Sequence, residues 1–278
     1  MADQITIIIP AHNEVAYIET CLQALLSQSD AAGAMHIILA ANACRDGTVT
    51  IAQSFTDRFA ARGSVLQVLD LPAPGKVGAL NAAEAQTGLG PRVFLDADIV
   101  CVVALIGQLR AALKTDEPRY ATGRLRIAPA KSWVSQHYAR LWARLPFMQP
   151  GTAPGAGVFA VNAAGRARWS TFPDIIADDT YVRWLFAPQE RIEVQAGYNW
   201  PVVEGFAALV RVRRRQNAGG AQLRDLYPNL ETNEGKIAVT WRDHARLALA
   251  HPISYAVYLS VILSVKAKRS DTTWARGR

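Results

Sequence analysis

Four short apolar runs in the first hundred residues each end in a polar cluster, and this repetition constrains the fold more than any other feature. Ile5-Thr6-Ile7-Ile8-Ile9-Pro10 leads into Ala11-His12-Asn13-Glu14, and Ile37-Ile38-Leu39-Ala40 into Asn42-Ala43-Cys44-Arg45-Asp46-Gly47-Thr48. Val65-Leu66-Gln67-Val68-Leu69 precedes Pro74-Gly75-Lys76, and Val93-Phe94-Leu95 runs into Asp96-Ala97-Asp98. Runs of this length read as buried strands, the first of them stopped by Pro10. Helical patterns lie between them. Ile18, Cys21, Leu22, Leu25 and Leu26 fall on one helix face. A second helix starts after the Asn42–Thr48 loop, with Asp46 or Thr48 as its cap, and a third near Val77. Strands alternating with helices predict parallel βαβ units in an α/β fold. The carboxyl ends of such strands share one edge, and ligands bind there.

That edge collects a particular chemistry. Side chains at i and i+2 of a strand share a face, so Asp96 and Asp98 are expected to point the same way. Two carboxylates that close repel unless a cation lies between them. Hard oxygen ligands suit Mg²⁺ or Mn²⁺, which typically bridge to substrate phosphates. The plainer alternative is a solvated pair in a turn. With Lys76, an amide at Asn42 and a helix start close by, the set suits a nucleotide diphosphate plus a metal. No G-x-G-x-x-G follows the first strand, which argues against a dinucleotide oxidoreductase. No G-x-x-x-x-G-K-[ST] is present either, which argues against a P-loop NTPase.

The chain has 278 residues, half of them hydrophobic, enough for one large domain or a domain with an extension. Cys21, Cys44 and Cys101 form no C-x-x-C pair and no disulfide framework, which fits a reducing compartment. Cys44 reads as a small loop residue rather than a nucleophile, since no histidine adjoins it. The N-terminus shows no signal pattern, so a cytoplasmic location is expected. The net charge of +7 is concentrated in Arg211, Arg213, Arg214 and Arg215 and in Lys266, Lys268, Arg269, Arg276 and Arg278. No nucleic-acid-binding signature accompanies it. Diphosphate, phospholipid head groups or an anionic glycan are the expected partners, and nucleic acid is not.

The second half adds a strand over Tyr120 to Ile127 and a helix over Lys131 to Leu145. That helix carries an aromatic stripe of Trp133, His137, Tyr138 and Trp142, read mainly as core. The loop Gly151-Thr152-Ala153-Pro154-Gly155-Ala156-Gly157 precedes a strand over Val158 to Val161. Its missing side chains would let a substrate approach the backbone, unless it is an ordinary turn. Asp178 and Asp179 open a helix that continues through Tyr181, Val182, Trp184 and Leu185. A cap or dipole partner accounts for one aspartate there. The pair suits a general base better, because adjacent carboxylates resist double ionisation. Ile253 to Val265 is apolar and is followed by Lys266-Ala267-Lys268-Arg269. It falls short of the roughly 20 residues of a membrane span. The expectation is a helix lying on an anionic membrane surface through residues 247–269, with a core or dimer helix as the alternative.

Together these motifs resemble the family-2 glycosyltransferases of the GT-A fold. The matching residues are Ile9-Pro10-Ala11-His12-Asn13-Glu14, Asn42-x-Cys44-x-Asp46-x-Thr48, Gly75-Lys76-x-x-Ala79-Leu80-Asn81, Asp96-Ala97-Asp98, Gly155-Ala156-Gly157 and Asp178-Asp179. They stand in the family's order over roughly residues 4 to 220. The resemblance implies a mostly parallel, Rossmann-like sheet flanked by helices. It implies an inverting transferase that uses a nucleotide sugar, UDP-linked by expectation, and Mn²⁺ or Mg²⁺. Carried over, Pro10, His12, Glu14, Asn42, Asp46, Lys76 and Asp96 would line the nucleotide and Asp98 would ligate the metal. Gly155, Ala156 and Gly157 would lie by the donor sugar. Asp179 would be the base, with Asp178 beside it. The family's usual Glu-Asp is Asp-Asp here.

Arg214 and Arg215 are candidates for the diphosphate or acceptor. The processive synthases' Gln/Arg-x-x-Arg-Trp motif is matched only in part, since Val212 and Gln216 flank Arg215. The expected organisation is a glycosyltransferase domain over 1–220, nucleotide-binding to about 100 and acceptor-binding from about 101, then a helical extension over 221–278. The expected acceptor is a glycan or lipid-linked hydroxyl, met at the inner face of the cytoplasmic membrane in bacterial polysaccharide, glycolipid or lipid-linked glycan synthesis. The competing readings are a sugar-phosphate nucleotidyltransferase and an inactive glycan-binding module.

Overall fold

The computed structural model describes residues 4–267, so Lys268, Arg269, Arg276 and Arg278 lie outside the described residues. In chain order the elements are β1 (Ile5–Ala11), α1 (Ile18–Leu26), β2 (Met35–Asn42), α2 (Thr48–Gln53), α3 (Thr56–Ala61), β3 (Val65–Leu71) and α4 (Lys76–Glu84). Then come β4 (Arg92–Leu95), β5 (Val100–Cys101), α5 (Leu105–Ala112), β6 (Tyr120–Ile127), α6 (Trp133–Trp142), β7 (Val158–Val161), α7 (Ala163–Arg166) and α8 (Asp178–Trp184). The chain closes with β8 (Arg191–Trp200), α9 (Phe206–Leu226), α10 (Trp241–Ala250) and α11 (Pro252–Ala267).

The chain divides into two compact units. The first takes the chain up to Arg126, Gly155–Asp174 and Leu185–Trp200; the second takes Ile127–Pro154, Ile175–Trp184 and the chain from Pro201.

The first unit holds the sheet, in the order β3-β2-β1-β4-β7-β6-β8-β5. The expected α/β fold is present. The parallel part is β3-β2-β1-β4. Beyond it β7 pairs antiparallel with β4 and β6, and β5 antiparallel with β8. Strands covered on both faces read as continuous apolar runs, and Ile5, Ile7, Ile8 and Ile9 are fully buried. Each such side chain contributes about 2 kcal/mol of transfer free energy. The first strand does not stop at Pro10. It continues to Ala11, paired with Ala41 of β2, while the β1–β4 ladder ends at Ile8. Pro10, with no N–H to give, therefore falls beyond that ladder.

One buried ionic cluster ties the two ends of the site together. Glu84, the last residue of α4, meets Arg92 of β4 at 2.8 Å, and it also pairs with Arg166 of α7. Helix α4 begins at Lys76 and β4 leads into Asp96, so this clamp fixes the helix and the strand that carry those residues. Removing one partner of such a buried pair typically costs 3–5 kcal/mol, on the order of a domain's whole stability margin.

The second unit is helical. α6 starts at Ser132, whose hydroxyl accepts from the Ser135 N–H at 3.2 Å, and it ends sooner than its sequence pattern implied. Its aromatic stripe divides: Tyr138 and Trp142 are core, whereas Trp133 is 57 % exposed. Among the described residues no helix is long and apolar enough to cross a membrane.

Candidate functional site

In the first unit the ends of β1 and β2 are bonded to each other loop to loop. The Glu14 N–H donates to Thr48 Oγ1 at 2.7 Å and the Val15 N–H to Asp46 Oδ2 at 3.3 Å. The Arg45 N–H donates to Asn13 Oδ1 at 2.6 Å, and the Asn13 N–H reaches Cys44 Sγ at 3.2 Å. Cys44 thus serves as a loop fastener, in agreement with its sequence reading. Both loops turn through left-handed backbone, Asn13 at φ 52° and Ala43 at φ 48°. Asparagine tolerates that region, while for alanine it costs roughly 1–2 kcal/mol, which the bonds around it must offset.

Asp46 is the hub of this network, because it also accepts from the Thr48 N–H at 3.1 Å and the Thr48 hydroxyl at 2.5 Å. Burial alone would push its carboxyl up. The bonds from Thr48 and from the Val15 N–H outweigh that and hold it below the usual carboxylate range.

His12 donates its Nδ1–H to the Asn42 carbonyl at 2.5 Å, which fixes the ring and places the second nitrogen on its other side. Asn42 is buried, and both ends of its carboxamide are spent within the protein. Nδ2 donates to the Ala11 carbonyl at 2.8 Å, and Oδ1 accepts the Gly75 N–H at 3.1 Å. Asn42 therefore clasps β1, β2 and the residue before α4. Pro10 is buried in β1, while His12 and Glu14 are half-buried at its end.

Asp96 and Asp98 lie just past β4, on a turn closed by the Ile99 N–H on the Asp96 carbonyl at 3.2 Å. The shared-strand-face argument is corrected accordingly: a turn presents the two carboxylates. Both are half-buried, with Ala97 buried between them. Lys76, first residue of α4, meets Asp96 Oδ1 at 3.0 Å. Lys76 and Asp96 thus meet at the start of α4, with Asp98 two residues further along the turn.

The glycine loop is positioned by the sheet. Leu95 pairs with Val158, so Gly157 comes beside Asp96, and its carbonyl accepts the Asp96 N–H at 2.9 Å. Gly155 and Gly157 have φ of 67° and 78°. A Cβ on Gly155 would fall on the Tyr120 hydroxyl, and one on Gly157 would come within 2.7 Å of Ile99. Protein side chains fill those spaces, so internal packing accounts for both glycines. Ala156 gives its carbonyl to the Tyr198 hydroxyl at 2.7 Å.

In the second unit Asp178 is buried, and Asp179, half-buried, has Oδ1 bonded by the Thr180 N–H at 2.6 Å. The arginine block falls within α9, where Arg214 donates to the Ser264 carbonyl of α11 at 2.7 Å and so holds two helices together. Arg215 is half-buried in the same helix. Glu234 and Lys236 carry no sequence signal; they follow a short 3₁₀ turn and lie outside any periodic segment. Nevertheless Glu234 is bonded to both Arg183 and Trp184 of α8.

A divalent cation is tested by its donor set. Among the described residues no group of three or more His, Cys, Asp or Glu side chains could hold a metal ion. Mg²⁺ and Mn²⁺ need no such cage, being bound through one or two carboxylates plus phosphate oxygens. The half-buried Asp96–Asp98 turn fits that requirement.

The model of the family described as glycosyl transferase family 2 matches residues 6–213, and the chain belongs to that family. No curated protein matches it in sequence. Among solved structures it is similar to the mannosyltransferase PcManGT from Pyrobaculum calidifontis in complex with GDP-Man and Mn²⁺. The identity is 19 % and the TM-score 0.60, over 97 % of this chain and 77 % of that one. S. aureus TarS 1-349 in complex with UDP-GlcNAc gives 14 % identity and a TM-score of 0.55, over 94 % of this chain and 81 % of that one. Against a longer S. aureus TarS structure the match covers 55 % of that chain. These likenesses establish the GT-A type of fold.

The Asp46 network generates a pH test. A carboxyl held below its unfolded value adds stability at neutral pH, and that stability is lost as pH falls from roughly 4 through the lower folded value. Acid should therefore destabilise the wild type more steeply below that point than Asp46→Asn, read by urea denaturation across a pH series. Parallel curves would show that the network carries no such linkage.

Proposed function

We propose that this chain transfers a sugar from a nucleotide diphosphate sugar, a UDP-sugar, to an acceptor hydroxyl with inversion. The observation that carries the reading is the Lys76–Asp96 ion pair at the start of α4, beside the turn that presents Asp98. Solved structures of like fold with GDP-Man and Mn²⁺ and with UDP-GlcNAc support it.

In this reading Pro10, His12, Glu14, Asn42 and Asp46 border the nucleoside, Asn42 by shaping the wall rather than by offering its amide. Lys76 faces the diphosphate, and Asp98 with Asp96 holds a divalent cation. When bound there, a cation would stabilise the charge of the departing diphosphate. Gly157 keeps Asp96 in place through its carbonyl. Asp179 takes the proton from the acceptor hydroxyl, which is otherwise a poor nucleophile at neutral pH. Thr180 orients that carboxylate by its N–H. Attack from the face opposite the diphosphate inverts the anomeric centre. Arg214 and Arg215 supply positive charge on α9, although Arg214 is partly committed to α11.

Two measurements test the chemistry. UDP should bind more tightly with Mn²⁺ than in EDTA, and Asp98→Asn should erase that difference; calorimetry giving equal affinities in the wild type would remove the metal from the account. Asp179→Asn should leave UDP binding nearly intact and lower transfer by about 10²–10⁴-fold. Turnover close to wild type would move the base to another residue, Asp178 first. A chain that binds UDP and transfers nothing with any acceptor would be a binding module.

We also infer a place at the inner face of the cytoplasmic membrane, with a glycan or lipid-linked acceptor. α11 buries Ser254, Val261 and Val265, while Ile253, Leu259 and Leu263 face outward at 56 %, 41 % and 56 % exposure. Leu249 on α10 is 85 % exposed, and Lys266 stands in the last turn of α11. Apolar residues beside a cation suit an anionic interface. The protein should sediment with anionic vesicles at low salt, and Leu259→Asp with Leu263→Asp should release it. If the wild type stays in the supernatant, that face serves another purpose.

A further inference from the structure

The turn that carries Asp96 and Asp98 is gripped on two sides, and β8 has a part in both grips. On one side Gly157, just before β7, gives its carbonyl to the Asp96 N–H at 2.9 Å. On the other side β5 follows the turn and pairs with β8. Val100 lies opposite Asn199 and Cys101 opposite Tyr198, and the Val102 N–H adds a bond to the Gly197 carbonyl at 3.1 Å. Thus β8 holds the chain beyond the turn by its backbone. It reaches the Gly157 side by a side chain, because the Tyr198 hydroxyl donates to the Ala156 carbonyl at 2.7 Å. All of these residues belong to the first unit.

The bond to Ala156 falls where the loop has least stiffness of its own. Gly155 and Gly157 flank Ala156 at φ 67° and 78°. Side chains of Tyr120, Ile99 and Trp200 occupy the space that Cβ atoms on these two glycines would need. Glycine answers that lack of room, yet its backbone is the freest of any residue to rotate. A peptide group between such residues keeps its plane only through partners outside the loop. The Ala156–Gly157 peptide has its oxygen held by Tyr198. The next carbonyl along the chain, that of Gly157, is the one that receives the Asp96 N–H. Tyr198 is fully buried and fixed in register opposite Cys101, so its hydroxyl is delivered with little freedom. Trp200, two residues on and therefore on the same face of β8, has Cδ1 3.0 Å from where a Gly157 Cβ would stand. One face of β8 thus backs both Ala156 and Gly157.

We propose that Tyr198 is a positioning residue for the divalent cation: its hydroxyl fixes the Ala156–Gly157 peptide, keeps the Gly157 carbonyl on the Asp96 N–H, and so sets how the turn presents Asp96 and Asp98. The proposal rests on the reading of that turn as the cation site and adds the side chain that keeps the turn in shape. A cation bound through one or two carboxylates depends on the groups that orient them, and loss of such a group typically weakens metal binding about 10–100-fold. The chain of contacts is short. One hydrogen bond leads from Tyr198 to Ala156, one peptide group leads to Gly157, and one further hydrogen bond leads to Asp96.

The test compares the full-length wild type with Tyr198→Phe and Asp98→Asn, using UDP as the probe in calorimetry with Mn²⁺ and with EDTA. Phenylalanine keeps the ring and removes one oxygen. The loss of one hydroxyl is small against a domain's stability margin, so the variant is expected to fold, which a melting curve checks. In Tyr198→Phe the gain in UDP affinity brought by Mn²⁺ should fall about tenfold, while affinity in EDTA stays at the wild-type value. Amide hydrogen exchange without nucleotide gives a second readout. The Asp96 N–H should exchange faster in Tyr198→Phe, and the amides of the β1–β2 ladder should keep their rates. A Mn²⁺ gain that Asp98→Asn erases and Tyr198→Phe leaves whole overturns the proposal while the cation reading stands. Absence of a Mn²⁺ gain in the wild type overturns both. Equal loss of UDP affinity in Mn²⁺ and in EDTA would make Tyr198 a support of the fold at large and overturn the proposal, as would an unchanged Asp96 exchange rate.

Discussion

Asp96 is held through its backbone N–H, its carbonyl and its carboxylate, and the turn that carries Asp96 and Asp98 depends on those three contacts. Its N–H is bonded to the Gly157 carbonyl, its own carbonyl takes the Ile99 N–H, and its carboxylate meets Lys76. Each of these partners is delivered by a different device. The β4–β7 register delivers Gly157, the turn delivers Ile99, and the start of α4 delivers Lys76. The Glu84–Arg92–Arg166 cluster then keeps α4 and β4 from shifting relative to one another. A turn that must present two carboxylates with little room to move is thereby made rigid at modest cost. Its bonds are ordinary backbone bonds, and its one ion pair is half-solvated and so not heavily desolvated.

The strand-end chemistry was legible because burial and polarity alternate along the chain with the same period as the elements. Ile5 to Ile9, Ile37 to Ala40 and Val93 to Leu95 are strands because they are covered on both faces, and the residues after each are polar because they leave the sheet. The strand over Val158 to Val161 was readable for the same reason, and so was the buried first half of the strand over Tyr120 to Ile127. Two other strands gave no such signal. Val100–Cys101 is too brief to show a period, and Arg191–Trp200 mixes exposed polar with buried apolar residues because part of one face is open. Nor could the sequence announce that Asp96 and Asp98 sit on a turn, since two residues of a strand and two of a turn have the same spacing.

Glycine was the least transparent signal. Gly155-Ala156-Gly157 matched a family motif, and its small residues invited a ligand-approach explanation. The backbone is left-handed at both glycines, and the space where each Cβ would stand belongs to Tyr120 or Ile99. The motif is therefore explained by what it packs against, and its connection to the site runs through the Gly157 carbonyl. Asn42 makes a similar point: a residue expected to line the nucleotide bonds through its carboxamide to the Ala11 carbonyl and the Gly75 N–H, and so ties β1, β2 and the residue before α4 together.

The second unit shows why sequence reasoning reached Asp179 and not its surroundings. Asp178-Asp179 stands out as an acidic pair opening a periodic segment. Glu234 is tied to Arg183, in the same helix as Asp179, from a segment that has no period, by bonds between residues 51 positions apart. Such contacts are set by tertiary packing, which no local pattern encodes. The two units also alternate along the chain, so the residues around Asp179 come from stretches separated by strands of the sheet. Loss of the Glu234 clasp would free both the segment carrying Lys236 and the last turn of α8. Glu234 thus acts as a tie within the second unit, holding a segment without regular structure against the helix that opens with Asp178 and Asp179.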